Sequence, residues 1–350
     1  MNSSYYFSIF QSSPELLRKP LFETNRKEES APPMPETVSA EKVTDMNKNR
    51  RYKTESGFYD TEKKIADGGE GIVFILNDDR LCAKIYKKPL THQSYDRLCD
   101  VISRFDRIRQ RNPALYKHLA PPKEIMFDRN NRPLGYVMDN IHARTLNYYQ
   151  KSEILRNEQY TREHQFIIAE QAAWIMSELH RSGIVIGDVA SVNILVDDKY
   201  FVYFVDLNGV GFSEQDRIYY SKGIHPQYLS PEHIGSMSKQ FICRHEDDVW
   251  ALQLILYELF MPGFEPYNYR GNLTLEQDTQ NGNFFWLRKN AVVSELGEKL
   301  FESYPYRLKT AFYDCFHSQG RHFYEKDRLT ANQWFKIIRA SHEDCRRQIN

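Results

Sequence analysis

The sequence predicts an α+β fold, with strands concentrated in its first part and helices in its second. Short apolar runs separated by turns fill residues 64–141, and runs rich in β-branched and aromatic residues are typical of strands. Apolar residues recur with a helical period in Thr161–His180, and we also expect a helix over about Ser94–Arg111. A chain of 350 residues is long enough to bury a sizeable core.

The charge balance argues against partners that bind through the net charge of the whole protein. The chain has 47 Lys and Arg and 47 Asp and Glu, so its formal net charge is zero. We therefore expect no nucleic-acid partner and no binding to an acidic membrane surface. No stretch is apolar enough to span a membrane, because the longest candidate, Val249–Pro262, is interrupted by Gln253 and Glu258.

Cysteine usage indicates a reducing compartment. The five cysteines are scattered, odd in number and without a CxxC pair, which argues against a disulfide framework or a zinc site. The N-terminus also lacks the basic start and apolar run of a secretory signal. We expect a cytoplasmic protein, and delivery into a host cell by a specialised secretion system is equally consistent with this sequence.

Residues 1–55 are predicted to form a flexible arm. They mix Ser, Pro, Glu and Lys without a sustained period, and order is expected to begin near Phe58.

Polar residues interrupt three apolar runs between residues 179 and 212. These residues are Asp188, Asn193 and Asp206. A carboxylate at the exit of a hydrophobic strand is costly unless a metal ion or a proton-donating substrate meets it there. Three such groups in one short span predict a single site. The alternative is a hairpin with turn carboxylates at Asp197 and Asp198 and no catalytic role.

A glycine-bearing turn and a lysine within a strand precede this segment. Gly68 and Gly71 allow backbone amides to approach an anion closely. Lys84 lies between apolar neighbours and needs an anionic partner. A plain hairpin turn and a lysine on the wet face of an edge strand are the alternatives.

Together, the order and spacing of these residues resemble the protein-kinase superfamily. The resemblance implies a bilobal kinase-like fold, with a small antiparallel-sheet lobe at 56–140 and a larger, mainly helical lobe at 141–350. It implies ATP and Mg²⁺, or Mn²⁺, as cofactors. In the family pattern Asp188 accepts the substrate's hydroxyl proton, Asn193 and Asp206 hold the metal, and Lys84 binds the nucleotide phosphates.

The resemblance also implies which residues line the nucleotide site. They are Ala66, Gly68, Gly69, Gly71, Val73, Lys84, Met138, Asp139, Ile141 and Asn193. Cys82 falls where kinases keep a small residue against adenine. A carboxylate on the next helix should pair with Lys84, and because that helix contains no Glu, the candidates are Asp96 and Asp100.

Later motifs follow in the family's order. Ser230-Pro231-Glu232 resembles the end of the activation segment, which we define as Asp206–Glu232. By the same resemblance, Asp248 should tie down the backbone of the catalytic loop, defined as Ile186–Asn193, and Arg328 should form a buried pair with Glu232.

Three departures from the family pattern bear on activity. Gly187, and not an arginine, precedes Asp188, so control by a phosphate on the activation segment is not expected. No Lys or Arg lies between Asp188 and Asn193 to neutralise the transferring phosphate. Asn208 replaces a glycine, and Asn can adopt a left-handed conformation.

These observations lead to a Ser/Thr protein kinase of a divergent bacterial or effector type as the first hypothesis. The second is a pseudokinase that serves as a nucleotide-binding scaffold or interaction module. A kinase of small molecules is the third, and the presence of Ser230-Pro231-Glu232 disfavours it.

Overall fold

A computed structural model of the chain describes residues 50–349, apart from 215, 222, 224, 236–241, 268–272 and 287–293. The described residues divide into two compact units. The sheet unit comprises residues 50–111 and 120–141, and the helical unit comprises residues 112–119 and 142–349. The predicted arm lies outside the described residues up to position 49.

The sheet unit is built around a closed antiparallel barrel with the strand order β1-β2-β3-β4-β6-β5. Its strands are β1 Arg51–Lys53, β2 Phe58–Asp67, β3 Gly71–Leu76, β4 Leu81–Tyr86, β5 Glu124–Phe127 and β6 Pro133–Asp139. Phe74 and Leu76 of β3 alternate into the barrel core, where they pack with Ala83, Met126 and Val137. The apolar runs of residues 64–141 thus form strands as predicted, and strand β1 shows that ordered structure begins before Phe58.

One long helix, α1 (His92–Arg111), completes the sheet unit. Its buried face carries Leu98, Val101, Phe105 and Ile108 at helical spacing, and Leu98 packs against Tyr136 of β6. The helix predicted over Ser94–Arg111 is therefore confirmed.

The helical unit contains seven described helices. They are α2 Pro113–Tyr116, α3 Arg162–Arg181, α4 His245–Phe260, α5 Leu275–Gln280, α6 Glu295–Glu302, α7 Tyr306–Phe316 and α8 Ala331–Ile349. The predicted helix at Thr161–His180 corresponds to α3, with Thr161 as its N-cap. The last helix, α8, packs along α3, where His342 contacts Glu163 (2.7 Å) and Glu170 (2.5 Å).

Helix α4 is the buried centre of this unit. Nearly all of its residues are buried, including Trp250 and Tyr257. The apolar stretch that begins at Val249 is therefore part of a buried helix. Within the described residues, no helix is long and apolar enough to cross a membrane.

Two small sheets position the predicted site in the helical unit. The first has the order β7-β8-β9, formed by Arg144–Thr145, Ile194–Val196 and Val202–Phe204. The second pairs β10 (Phe212–Glu214) with β11 (Arg217–Tyr219). Asp197 closes the β8–β9 turn, because its carboxylate accepts the amide protons of Lys199 and Phe201.

All five cysteines are described, and all are free thiols. The expectation that the chain lacks a disulfide framework is thus confirmed for its cysteines.

Candidate active site

Asp188 and Asn193 contact each other within the catalytic loop. The side-chain amide of Asn193 donates to the carboxylate of Asp188 (3.2 Å) and to its backbone carbonyl (3.0 Å). Residues Ser191–Asn193 form a 3-10 turn that brings the amide back towards the carboxylate. Both side chains are half-buried, so Asn193 orients Asp188 within a partly dry environment.

Asp206 lies beside Asn193 because of the β8–β9 hairpin. Ile194 pairs with Phe204, and the Val205 amide donates to the Asn193 carbonyl at 3.0 Å. Asn193 and Asp206 therefore lie at the same open end of the hairpin. The residues predicted to form one site, Asp188, Asn193 and Asp206, are brought together in the helical unit.

The left-handed backbone conformation occurs at Asp206, not at Asn208. Asp206 has φ +57° and ψ +42°. Asn208 lies in the 3-10 turn Leu207–Gly209 and is not among the described residues with positive φ. Asn208 therefore does not use the left-handed conformation open to it, and Asp206, two residues earlier, adopts it instead.

Asp248 anchors the backbone of the catalytic loop. Its carboxylate accepts the amide protons of Ile186 and Gly187, both at 2.7 Å, and His180 contacts it at 3.0 Å. The Asp248 side chain is completely buried, so these bonds form in a low-dielectric environment. The role predicted for Asp248 is confirmed.

The activation segment is bonded to the loop and to α4 near its C-terminal end. The Tyr228 hydroxyl lies 2.9 Å from the Ser191 hydroxyl, and burial raises the pKa of Tyr228 to about 12. Ser230 donates to Asp247 at 3.0 Å, and burial raises the pKa of Asp247. Tyr228 stays protonated at neutral pH, so its hydroxyl can donate a hydrogen bond to the Ser191 hydroxyl.

The predicted pair of Arg328 and Glu232 is also confirmed. One guanidinium nitrogen lies 2.9 Å from both carboxylate oxygens, and the arginine side chain has no exposed surface. Arg328 also donates to the Glu246 carbonyl (3.1 Å) and lies over the Trp250 ring at 5.0 Å. This pair holds the end of the activation segment against the start of α4.

In the sheet unit, Lys84 is buried on β4 and faces an acidic residue that the sequence interpretation missed. Its ammonium lies 3.6 Å from the carboxylate of Glu70, and the residue is 7% exposed. Glu70 belongs to the glycine turn itself. Pairing of Lys84 with Asp96 or Asp100 on α1 stays a prediction, and of these two residues Asp96 is exposed and Asp100 half-buried.

The glycine turn connects β2 to β3 as a tight hairpin. The Gly68 amide donates to the Gly71 carbonyl at 2.9 Å. A side chain at Gly71 would clash with the Ile85 carbonyl of the next strand, since its Cβ would lie 2.7 Å away. Ala66 lies one residue before the end of β2 and pairs with Val73, whereas Gly69 is open to solvent. The backbone of this turn is thus exposed, with few side chains packed over it.

The remaining predicted nucleotide residues lie along and after β6. Met138 pairs with Cys82, and Asp139 pairs with Leu81 of β4. Ile141 follows the strand and is half-buried. Cys82 is 3% exposed and contacts the Asp139 carbonyl at 3.5 Å, and burial raises the pKa of its thiol to about 12. Cys82 is therefore an inert buried thiol here.

Comparison with known proteins agrees with this geometry. The family model described as protein tyrosine and serine/threonine kinase matches residues 112–296, which is more than half of the chain. A comparison with curated proteins finds no match. The matched range contains the catalytic loop, Asp206 and the activation segment. The chain therefore belongs to the protein tyrosine and serine/threonine kinase family.

Proposed function

We propose that the chain is an ATP-dependent protein kinase that transfers the γ-phosphate of ATP to serine or threonine hydroxyls of a protein substrate. The observation that carries the proposal is the cluster of Asp188, Asn193 and Asp206 at one end of the β8–β9 hairpin. Family membership supports phosphotransfer in general, and this cluster supports an active site that retains its polar groups.

Asp188 is suited to accept the proton of the attacking hydroxyl. Its carboxylate is half-buried, and one oxygen receives a hydrogen bond from the Asn193 amide. That bond restricts rotation of the side chain, so the carboxylate is oriented before a substrate arrives. Anchoring of the loop backbone by Asp248 adds to the same effect.

The donor set of Asn193 and Asp206 fits Mg²⁺ or Mn²⁺. Asn193 uses its amide nitrogen on Asp188, which leaves a carbonyl oxygen as a hard donor beside the Asp206 carboxylate. Asp206 also has a sparsely populated backbone conformation, and such residues cluster at functional sites. A bound metal ion would neutralise phosphate charge. Among the described residues, no group of three or more His, Cys, Asp or Glu could hold a metal alone, so the nucleotide phosphates would complete the coordination.

Lys84 and the glycine turn are suited to bind phosphate in the sheet unit. Lys84 provides a buried ammonium that the largely exposed carboxylate of Glu70 approaches at 3.6 Å. Gly69 presents its amide without a Cβ in front of it. A nucleotide phosphate that displaces Glu70 would gain a stronger charge interaction with Lys84.

A nucleotide-binding scaffold without turnover is the second candidate. Val192, which lies between Asp188 and Asn193, is 47% exposed and carries no charge. A cation at this point would stabilise the transferring phosphoryl group, and its absence from the loop removes part of that stabilisation.

Phosphate transfer from labelled ATP tests the proposal. The purified chain is incubated with Mg²⁺ or Mn²⁺ and generic protein substrates, and Asp188→Ala is compared with Asp198→Ala as the matched control. Asp198 is an exposed carboxylate in the β8–β9 turn. We expect labelling by the wild type and by Asp198→Ala, a loss of at least 100-fold in Asp188→Ala, and label on serine or threonine after acid hydrolysis.

Other outcomes separate the candidates. ATP binding without transfer by the wild type would favour the scaffold. Label on tyrosine would contradict the Ser/Thr assignment, and transfer to a metabolite panel but not to proteins would indicate a small-molecule kinase.

A further inference from the structure

A half-buried serine of the activation segment, Ser221, lies against the catalytic loop with its hydroxyl oxygen buried. We propose that Ser221 is a positioning residue that occupies the space a side chain at position 187 would need. By packing on Gly187 it holds the activation segment beside Asp188, so that no phosphate group on the segment is needed for this. This inference rests on the proposed function and deepens it, because it assigns the regulation of the same site.

The contact at Gly187 leaves no room for a side chain. Gly187 has φ +79°, a conformation that residues with a Cβ rarely adopt. A Cβ there would clash with the Ser221 hydroxyl oxygen and would lie 2.5 Å from Ser221 Cβ and 2.8 Å from the Gly223 carbonyl oxygen. Ser221 therefore occupies the volume that a side chain at position 187 would need.

A second glycine supports the backbone of the same turn. A Cβ at Gly211 would lie 2.8 Å from the Ser221 amide nitrogen and 3.1 Å from the Tyr219 carbonyl oxygen. Gly211 itself exchanges two backbone hydrogen bonds with Val185, at 2.7 and 2.8 Å, just before the catalytic loop. The backbone of Ser221 thus packs against Gly211, and its side chain packs against Gly187.

The contact continues along the loop to the proton-accepting residue. Gly223 has no side chain, but a Cβ built there would lie 3.8 Å from Asp188 Cβ, so the backbone at Gly223 runs close to Asp188. Further on, Tyr228 bonds Ser191 at 2.9 Å. The described part of the segment therefore contacts the loop near Gly187, Asp188 and Ser191 by packing and neutral hydrogen bonding. None of these three contacts requires a phosphate.

A double-mutant cycle tests the contact directly. The variants are Gly187→Ala, Ser221→Gly and the two combined. Gly235→Ala is the matched control, because Gly235 has φ +80° but no residue that the structure describes lies within 4 Å of its Cβ position. This control reports the cost of the backbone conformation alone, so any further effect of Gly187→Ala comes from the collision with Ser221 and Gly223.

Tryptic cleavage after Arg217, which is exposed on β11, reports whether the segment leaves the loop. We expect cleavage at least 10-fold faster in Gly187→Ala, no change in Gly235→Ala, and partial recovery in the double variant. Peptide KM should rise at least 5-fold in Gly187→Ala, while ATP affinity stays within 2-fold of the wild type. Phosphatase treatment of the wild type should leave the cleavage rate unchanged.

Equal effects of Gly187→Ala and Gly235→Ala, or a double variant no better than Gly187→Ala, would overturn the inference. So would faster cleavage after phosphatase treatment. If Gly187→Ala does not fold, Ser221→Leu probes the same contact from the other side, with Ser213→Leu at an exposed position of β10 as its control. The cleavage measurements do not depend on kinase activity, so failure of the proposed function and failure of this inference are distinguishable.

Discussion

The anchoring of the catalytic loop by Asp248 leads to a quantitative prediction for Asp248→Asn. The substitution keeps the shape of the side chain but replaces one acceptor oxygen by an amide donor. In the wild type, both oxygens accept backbone amide protons at 2.7 Å, from Ile186 and Gly187, and His180 lies at 3.0 Å from one of them.

The cost follows from the number of acceptors that remain. Asparagine has one acceptor oxygen, so if it faces Ile186 and His180, its amide nitrogen faces the Gly187 amide, donor against donor. A buried amide without an acceptor costs about 1–3 kcal/mol. The remaining bonds also lose their charge assistance, which roughly halves their strength. We expect the free energy of unfolding to fall by about 2–5 kcal/mol, a large share of the ~5–15 kcal/mol typical of a domain.

Urea unfolding and amide hydrogen exchange measure this effect. The control is Asp278→Asn, because Asp278 is 5% exposed and its carboxylate accepts a hydrogen bond from the Asn283 side-chain amide at 2.7 Å. The Asn283 amide can turn to accept the new donor. We expect a loss of under about 1.5 kcal/mol for the control, and faster exchange at Ile186 and Gly187 only in Asp248→Asn. A loss below about 1 kcal/mol, or one equal to the control, would refute the anchoring argument.

Three further predictions concern the nucleotide site and the dependence of stability on pH. Glu70→Gln removes the carboxylate 3.6 Å from Lys84, and we expect ATP affinity measured by calorimetry to rise about 2- to 5-fold. Hydrogen bonding from Arg346 lowers the pKa of Glu163 more than burial raises it, and the pKa is held at about 2. The pair therefore stabilises the fold fully above the usual carboxyl pKa of about 4.3. This stabilisation is lost as the pH falls towards 2. The urea midpoint of Glu163→Gln should therefore change less than that of the wild type between about pH 5 and pH 2.5. Asp206→Ala should abolish Mg²⁺-dependent ATP binding without lowering the melting temperature.

Each of these predictions has a distinct contrary result. Glu62→Gln, at an exposed position of β2, should not change ATP affinity, and weaker binding by Glu70→Gln would mean that Glu70 supports the nucleotide. Parallel pH profiles of Glu163→Gln and the wild type would show that the pair with Arg346 does not contribute to the acid sensitivity of the fold. Unchanged Mg²⁺-ATP affinity in Asp206→Ala would remove Asp206 from the metal site.

Sequence reasoning succeeded where a buried charge required a partner. The resemblance to the kinase family predicted that Arg328 pairs with Glu232 and that Asp248 holds the backbone of the catalytic loop. The structure shows both contacts, and the cost of burying such charged groups alone explains why they form. The long helices were also predictable, since their apolar faces recur over many residues. The shared position of Asn193 and Asp206 followed from a hairpin whose two strands are adjacent in the chain.

Sequence reasoning failed where backbone geometry and volume decide the outcome. The pairing of Lys84 with Glu70 depends on how sharply the glycine turn folds back over β4, and no pattern of residue types encodes that angle. Asn208 was noted as able to adopt a left-handed conformation in place of glycine, whereas Asp206 adopts that conformation. Glycine at position 187 was noticed only as a missing arginine, and its contact with Ser221 required knowledge of the chain path.

Residues 186–188 are constrained from two sides by elements distant in the sequence. Asp248 accepts the amide protons of Ile186 and Gly187, and Ser221 fills the space at the Gly187 α-carbon. Because a peptide plane bonded on one edge and packed on the other has little freedom to rotate, the direction in which Asp188 leaves the backbone is set by both contacts together. A side chain at position 187 would leave the Asp248 bonds possible but would displace Ser221, so it would require a different path for the activation segment. Glycine at position 187 is therefore required for this path of the activation segment. Mutations at position 187 and at Asp248 should change the orientation of Asp188 independently of each other.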